Sequence, residues 1–336
     1  MASARITVII PTFNSERYIV ETVESVLAQT YPVHEVIVVD DGSTDATEQL
    51  LAGYASRIRY IRQTNGGPPK ARNNALAHAT GDWIALLDSD DLWVRTKIEQ
   101  QMLYLEAHPT CGLVYSDMKT FDERGIIEES VKSSRNLTLP SGHIFPQIFD
   151  ETLFQTSAVL IRRSCFEAVG GFDETLRMGD DYELFLRIAR HFELGYVDAP
   201  LVLYRQHPTQ GTRTWGKQLQ QGVPWEFVVL KKIVDLYPEI FEELGRHKVR
   251  QRLSRPYLGL AYACFAEGDH KNARQLMQEA LRHWPTNFGY LRYYMMTFLS
   301  PLTLQRLRSA YEKIRTYNGR RRDVENAATR WHSTGS

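Results

Sequence analysis

The first half of the chain alternates short apolar runs with segments whose apolar residues recur at helical spacing. Residues 6–10, 36–39, 83–87 and 112–115 are apolar stretches, the pattern of strands buried on both faces, and residues 58–61 also read as a strand. Between them, residues 15–29 place Ile19, Val23, Val26 and Leu27 on one helical face, with Ser15 as the expected N-cap. Residues 46–54, 70–79 and 96–107 also read as helices, the first capped by Asp45. Repeated strand–helix–strand units predict an α/β fold, a mainly parallel sheet with helices on both faces. Ligands of such sheets sit beyond the carboxyl ends of the strands. Pro11-Thr12-Phe13-Asn14, Asp40-Asp41 and Asp88-Ser89-Asp90-Asp91 each follow a strand directly, so three distant polar clusters are expected along one rim.

From residue 121 to 155 the pattern weakens, punctuated by Gly125, Pro140, Gly142 and Pro146. Residues 156–161 then read as a strand, 165–169 as a short helix, 181–191 as an amphipathic helix, and 194–197 and 201–204 as two short strands. After Pro224 the sequence is mostly helical. Residues 257–285 resemble one tetratricopeptide unit through Tyr257, Leu260, Ala261, Gly268, Ala273, Ala280 and Pro285, although any antiparallel helix pair carries small residues at this spacing. The expected organisation is a catalytic domain over residues 1–220, an all-helical region over 221–318 and a disordered basic tail over 319–336.

Composition narrows the function. The 336 residues are 43% hydrophobic and 24% charged, ordinary for a globular chain. Forty Lys and Arg balance forty Asp and Glu, so no overall positive field favours a nucleic acid. Cys111, Cys165 and Cys264 are far apart with no CxxC spacing, which points away from a disulfide framework or structural zinc and toward a reducing compartment. No signal-peptide pattern and no membrane-length apolar run occur, so a cytoplasmic location is expected and the Asn136-Leu137-Thr138 sequon is read as chance.

Two acidic motifs carry candidate chemistry. Asp88 and Asp90, spaced i and i+2 at a strand exit, can both turn toward one divalent cation; hard oxygen ligands suit Mg2+ or Mn2+ shared with a diphosphate. Such a cation stabilises charge on a departing diphosphate. Taken alone, the motif equally fits a solvated turn capping the next helix. Asp180 and Asp181 open the helix over 181–191, where the helix dipole favours a carboxylate able to act as a base. Simple N-capping is the competing reading.

Residues 8–14 (Val-Ile-Ile-Pro-Thr-Phe-Asn) and 38–45 (Val-Val-Asp-Asp-Gly-Ser-Thr-Asp) resemble glycosyltransferase family 2, inverting enzymes of the GT-A (Rossmann-like) fold. Gly66-Gly67-Pro68, Ala71-Arg72-Asn73, Gly81-Asp82, Asp88-Ser89-Asp90-Asp91, Gly170-Gly171-Phe172-Asp173 and Gly179-Asp180-Asp181-Tyr182 continue the likeness in the family's order across about residues 5–210. The resemblance implies that Pro11, Thr12 and Asn14 line a nucleoside pocket and that Asp40 accepts from the base's ring N–H. It implies that Arg72 holds the nucleotide, that Asp88 contacts the ribose or a metal-bound water, and that Asp90 ligates the metal. Asp181 fits the family's base, which deprotonates the acceptor hydroxyl; Asp180 stands where the family usually has Glu. Phe172 and Asp173 are expected to shape the acceptor side, with Asp180 beside them. The implied donor is a UDP- or dTDP-sugar, and the implied acceptor a saccharide or lipid-linked saccharide.

Several residues keep two readings. His207, in Tyr204-Arg205-Gln206-His207, is a metal ligand, a diphosphate contact or a loop histidine. Lys70 reaches a diphosphate oxygen or points to solvent, the latter favoured. Trp83 and Trp93 stack on a sugar or belong to the core, whereas Trp215 and Trp225 are the better acceptor contacts. Tyr290, Tyr293, Tyr294, Met295, Met296 and Phe298 precede Arg306, Arg308, Lys313, Arg315 and Arg320-Arg321-Arg322; this end lies on an anionic membrane or packs its aromatics onto the body. Two competing functions remain. A sugar nucleotidyltransferase needs a Gly-rich basic loop after the first strand, where this chain has Pro-Thr-Phe-Asn. A non-catalytic nucleotide-binding scaffold has no chemical need for Asp88, Asp90 and Asp181 together.

Overall fold

The computed structural model describes residues 4–210, 219–220 and 223–298. Strands β1 (Ile6–Thr12), β2 (Glu35–Asp40), β3 (Arg59–Arg62), β4 (Trp83–Leu86), β5 (Leu92–Trp93), β6 (Cys111–Asp122), β7 (Gly125–Glu128), β8 (Leu160–Arg162) and β9 (Glu193–Arg205) form one sheet in the order β3-β2-β1-β4-β8-β6-β9-β5, with β7 beside β6. Helices α1 (Ile19–Leu27), α2 (Thr47–Leu51), α3 (Pro68–His78), α4 (Lys97–Ala107), α5 (Val131–Ser134), α6 (Phe145–Asp150), α7 (Arg163–Val169) and α8 (Asp180–His191) connect or flank them.

The sheet is mixed rather than mainly parallel. Four of its strand pairs are parallel (β1–β2, β1–β4, β2–β3 and β6–β9) and four antiparallel (β4–β8, β6–β8, β5–β9 and β6–β7) among the described residues. The parallel half is the one that the alternating apolar runs predict. β8 breaks the pattern because it wedges between β4 and β6, antiparallel to both. The two short strands expected over 194–197 and 201–204 are one strand, β9. Its register against β6 shifts at Ser116/Asp117 and Asp117/Met118, where Pro200, which has no N–H, is accommodated. The weakly patterned stretch after residue 121 contains the β6–β7 hairpin, α5 and α6.

Alternation along β1 and β2 explains how both faces are covered. Ile6, Val8, Ile10, Val36 and Val38 join a core with Ile19, Val23 and Val26 of α1, Leu51 of α2, and Ile98, Met102 and Leu105 of α4. On the opposite face Ile9, Ile37 and Val39 are equally buried, and α3 packs on β1 and β2 with Ala71 and Ala75 fully enclosed. Small residues let that helix lie close, which brings its N-terminal end to the rim.

Ser15 does not cap α1. Its carbonyl accepts from the Tyr18 and Ile19 N–H groups, and its hydroxyl meets Ser89 Oγ at 2.8 Å. Asp45 does serve α2, accepting from Thr47 N–H at 3.0 Å.

The chain divides into two compact units, Met1–Val249 and Arg250–Ser336. The first includes helices Trp225–Leu236 and Ile240–Glu243. The second holds most of helix Arg246–Ala266, together with His270–His283 and Phe288–Met296. Within it Tyr257 stacks on His283 (5.8 Å between ring centres) and Tyr262 meets Tyr293 edge-on (4.5 Å). The expected tail over 319–336 lies outside the described residues. No helix among the described residues is long and apolar enough to cross a membrane.

The β1–β4 seam leaves no room for a side chain at Gly81. A Cβ there would lie 2.6 Å from Thr7 N and 2.8 Å from Arg5 O, both backbone atoms. Gly81→Ala should therefore cost about 1–3 kcal/mol, read as a lower urea midpoint with an unchanged m-value. An unchanged midpoint would show that this seam yields freely.

Candidate active site

The parallel strands deliver their ends to one edge. Thr12 closes β1 opposite Asp40 of β2, and Asp41 N–H donates to Thr12 O at 2.8 Å. The residue after β4, Leu87, donates its N–H to Ile9 O, so Asp88 emerges beside the same edge. Asp40 stands behind that edge rather than on it: it is 0% exposed, and its two oxygens accept from Ser43 N–H (2.7 Å) and Tyr60 Oη (2.5 Å). These two bonds fix the orientation of the Asp40 carboxylate, and each of its oxygens keeps a further lone pair. Asp41, also buried, uses its carboxylate to gather Gln63 Nε2 and the Gly66 and Gly67 N–H groups. Thr12 Oγ1, by contrast, is a buried hydroxyl without a protein partner. Pro11 is half-buried and Phe13 exposed, while Asn14 takes a left-handed φ of 49° and accepts from Thr44 N–H at 2.8 Å.

Arg72 of α3 draws the acidic motifs together. Its guanidinium donates to Asp88 Oδ1 at 2.8 Å and to Asp180 Oδ2 at 2.6 Å, and it lies 5.5 Å from the centre of the Phe172 ring. Arg72 and Asp180 are both deeply buried. Burial raises the Asp180 carboxyl to about 6; Arg72 opposes that rise, and the neighbouring charges of Asp181 and Asp88 add to it. Asp88 shifts upward for the same reason, burial first, with Arg72 opposing and Asp90 and Asp181 reinforcing. Asp91, 1% exposed, is pushed well above the usual carboxylate range by burial and by Asp90 and Asp88.

The remaining predicted acids join this group. Asp90 Oδ2 accepts from His207 Nε2 at 2.9 Å, and His207 Nδ1 meets Thr209 Oγ1 at 3.0 Å. Asp181, at the N-terminus of α8, accepts from Thr156 Oγ1 at 2.5 Å. Three partners escaped the sequence reading. Ser157 donates to Asp91 Oδ2 (2.6 Å) and accepts from Asp88 N–H (3.1 Å). Thr156 holds Asp181, and Arg205 binds the acidic loop through its N–H to Asp91 Oδ1 and its Nε to Asp90 O. Arg205 lay inside a segment the sequence did single out; Thr156 and Ser157 carried no signal beyond a polar pair at the start of an expected strand.

Other candidates fall elsewhere. Phe172 is buried against Phe166 and Arg72 and exchanges backbone hydrogen bonds with the Asn73 side chain. Asp173 pairs with Lys232 and caps its own turn through Thr175; burial works against its charge, but those partners hold its carboxyl below the usual range. Trp93 is core, its Nε1 donating to Ser157 O, and Trp83 is buried beneath Arg162. Lys70 is exposed, with its stem crossing Gly66. Trp225 lies against Gly179, whose φ of 74° begins α8; a Cβ there would come within 2.5 Å of the indole. Trp215 lies outside the described residues.

No three His, Cys, Asp or Glu side chains stand ready to hold a metal ion among the described residues. Asp90 and His207 form a carboxylate–imidazole pair 2.9 Å apart.

The raised Asp180 carboxyl makes a pH prediction. Its folded value near 6 exceeds the ordinary 3.8, so the folded chain binds more protons than the unfolded chain between those values. Stability contributed by this group is thus lost as pH rises from about 4 to about 6. Asp180→Asn keeps an acceptor for Arg72 and should flatten that fall in thermal midpoint. Parallel pH profiles for the two proteins would contradict it.

Comparison with known proteins fits this geometry. The model of glycosyl transferase family 2 matches residues 7–170. An uncharacterized glycosyltransferase of Rickettsia typhi is 31% identical over 225 residues, covering 65% of this chain and 69% of that protein. Among solved structures, Staphylococcus aureus TarS 1–349 with UDP-GlcNAc superposes with a TM-score of 0.63 at 20% identity, covering 83% of this chain and 81% of that one. The mannosyltransferase PcManGT of Pyrobaculum calidifontis, solved with GDP-Man and Mn2+, gives 0.54 at 22% identity, covering 88% and 85%. This chain belongs to glycosyl transferase family 2 and is a glycosyltransferase, moving a sugar from a nucleotide-sugar donor to an acceptor.

Proposed function

We propose that the chain moves the sugar of a UDP- or dTDP-sugar to a hydroxyl of a saccharide or lipid-linked saccharide, inverting the anomeric carbon, with Mn2+ or Mg2+ bound. The observation that carries this reading is the convergence on Arg72 of two segments distant in the chain, the Asp88–Asp91 loop through Asp88 and the start of α8 through Asp180 and Asp181. Pro11, Thr12, Asn14 and Asp40 border the nucleoside pocket, where the Thr12 hydroxyl is buried without a protein partner. Arg72 positions Asp88 on the nucleotide side. Asp90 and His207 hold the cation, which when bound offsets negative charge on the departing diphosphate. The Thr156 hydroxyl aims the Asp181 carboxylate. Asp181 takes the acceptor's proton as that oxygen bonds to the anomeric carbon, and the carbon–oxygen bond to phosphate breaks with its electron pair leaving on the diphosphate. One base acting from the face opposite the leaving group gives inversion.

A peripheral membrane contact, on the cytoplasmic side, belongs to the same reading. Phe288, Leu291, Met295 and Phe298 are exposed at helical spacing in the second unit, whereas Tyr290 is buried. Residues 299–336 follow with eight Lys or Arg against three Asp or Glu. Apolar side chains next to a basic segment suit an anionic bilayer surface.

Asp181→Asn should lower release of nucleoside diphosphate from the sugar donor by about a hundredfold or more, while calorimetry finds nucleotide–Mn2+ affinity nearly unchanged. Asp90→Ala should lose both. Full turnover by Asp181→Asn rejects the base assignment, and nucleotide binding with no turnover by the wild type favours the scaffold reading. The full chain should also sediment with anionic but not with neutral vesicles; equal behaviour with the two rejects the membrane contact.

A further inference from the structure

Behind the turn Thr156–Ala158 lies a lysine that the chemistry above does not use. Lys97 opens α4 and is 0% exposed. Its Nζ donates to Gln101 Oε1 one helical turn on (2.8 Å) and sits 4.2 Å from the centre of the Trp93 ring. Among the described residues no carboxylate faces it, and burial drives its pKa well below the ordinary lysine value. An apolar side chain of similar length would fill this space at lower cost, since a buried amine without a counter-ion carries an unrecovered desolvation penalty. The amine therefore has a task that packing does not explain.

That task follows from the direction of the Gln101 amide. Lys97 is a donor and takes the amide oxygen, which turns Nε2 onto Ala158 O at 2.8 Å. Trp93 Nε1 donates to the neighbouring carbonyl, Ser157 O, at 2.9 Å. Two consecutive carbonyls of a three-residue turn are thus pinned from behind. On its other side the same turn presents Thr156 Oγ1 to Asp181, and Ser157 Oγ to both Asp91 Oδ2 and Asp88 N–H. Without the lysine, the Gln101 amide is free to rotate and the turn loses one of its two rear supports.

We propose that Lys97 is a positioning residue for sugar transfer: acting through Gln101, it fixes the Thr156–Ala158 turn that aims Asp181 and steadies the Asp88–Asp91 loop. This rests on the assignment of Asp181 as the base. Lys97→Met should lower kcat by about tenfold or more, because small displacements of a reacting group are expensive. The donor KM should move less than about twofold, and the thermal midpoint should hold or rise because a buried polar group is replaced by an apolar one. Gln101→Leu should give the same split, and the double variant should lose no more than the worse single one, since both act through one turn. Amide hydrogen exchange across residues 156–159, read without substrate, should quicken in both variants. Wild-type kcat in Lys97→Met, unchanged exchange, or additive losses would overturn the proposal. If Lys97→Met fails to fold, Gln101→Leu decides by the same readouts. Turnover absent from the wild type would instead implicate the proposed function, with the exchange result still judging Lys97.

Discussion

Arg72 solves an electrostatic problem that the rest of the site creates. Asp88, Asp91 and Asp180 are pushed upward by burial and by neighbouring carboxylates, and Arg72 opposes that rise at Asp88 and Asp180. One guanidinium reaches two of these acids from α3, and its planar fork lets it bind both at once. Its own position is set by apolar packing: Ala71 and Ala75 let α3 lie close on β1 and β2. The geometry of the charges thus derives from the small residues beneath them.

Hydroxyl groups supply the second layer of order. Thr156, Ser157 and Ser15 each bond an acid or serine of the rim, and none adds net charge to an already acidic cluster. Arg205 closes the loop from the far side through Asp90 O and Asp91 Oδ1, while leaning over Tyr18 and Phe121. Side chains held this way need little reorganisation when a substrate arrives, the condition for fixed dipoles to favour a charged transition state.

Much of this was legible in the sequence because it has a period or a boundary. Continuous apolar runs mark β1, β2 and β4, and the polar residues just after each run must surface at the same edge. That logic placed Asp88 and Asp90 at the rim, the start of an amphipathic helix singled out Asp180 and Asp181, and the family resemblance alone named Arg72 and His207. It missed what depends on tertiary closure. Tyr60 and Ser43 orient the Asp40 carboxylate from β3 and from the turn after β2, and no local pattern records that pairing. The Asn73 side chain bonds the Phe172 backbone from α3, a pairing across about a hundred residues that no local pattern records. β8 is too short for its direction to be read, so its antiparallel wedge, and with it the mixed sheet, had no signature.

The central claim is that one rim gathers a nucleotide, a cation and a base contributed by distant parts of the chain. A crystal structure of the full chain with a nucleoside diphosphate and Mn2+ tests it most directly. The account predicts the cation against Asp90 and His207, the nucleoside beside Thr12, and the diphosphate on the side that Asp181 faces. Nucleotide or cation bound at another surface, with Asp88, Asp90 and Asp181 untouched, would contradict it.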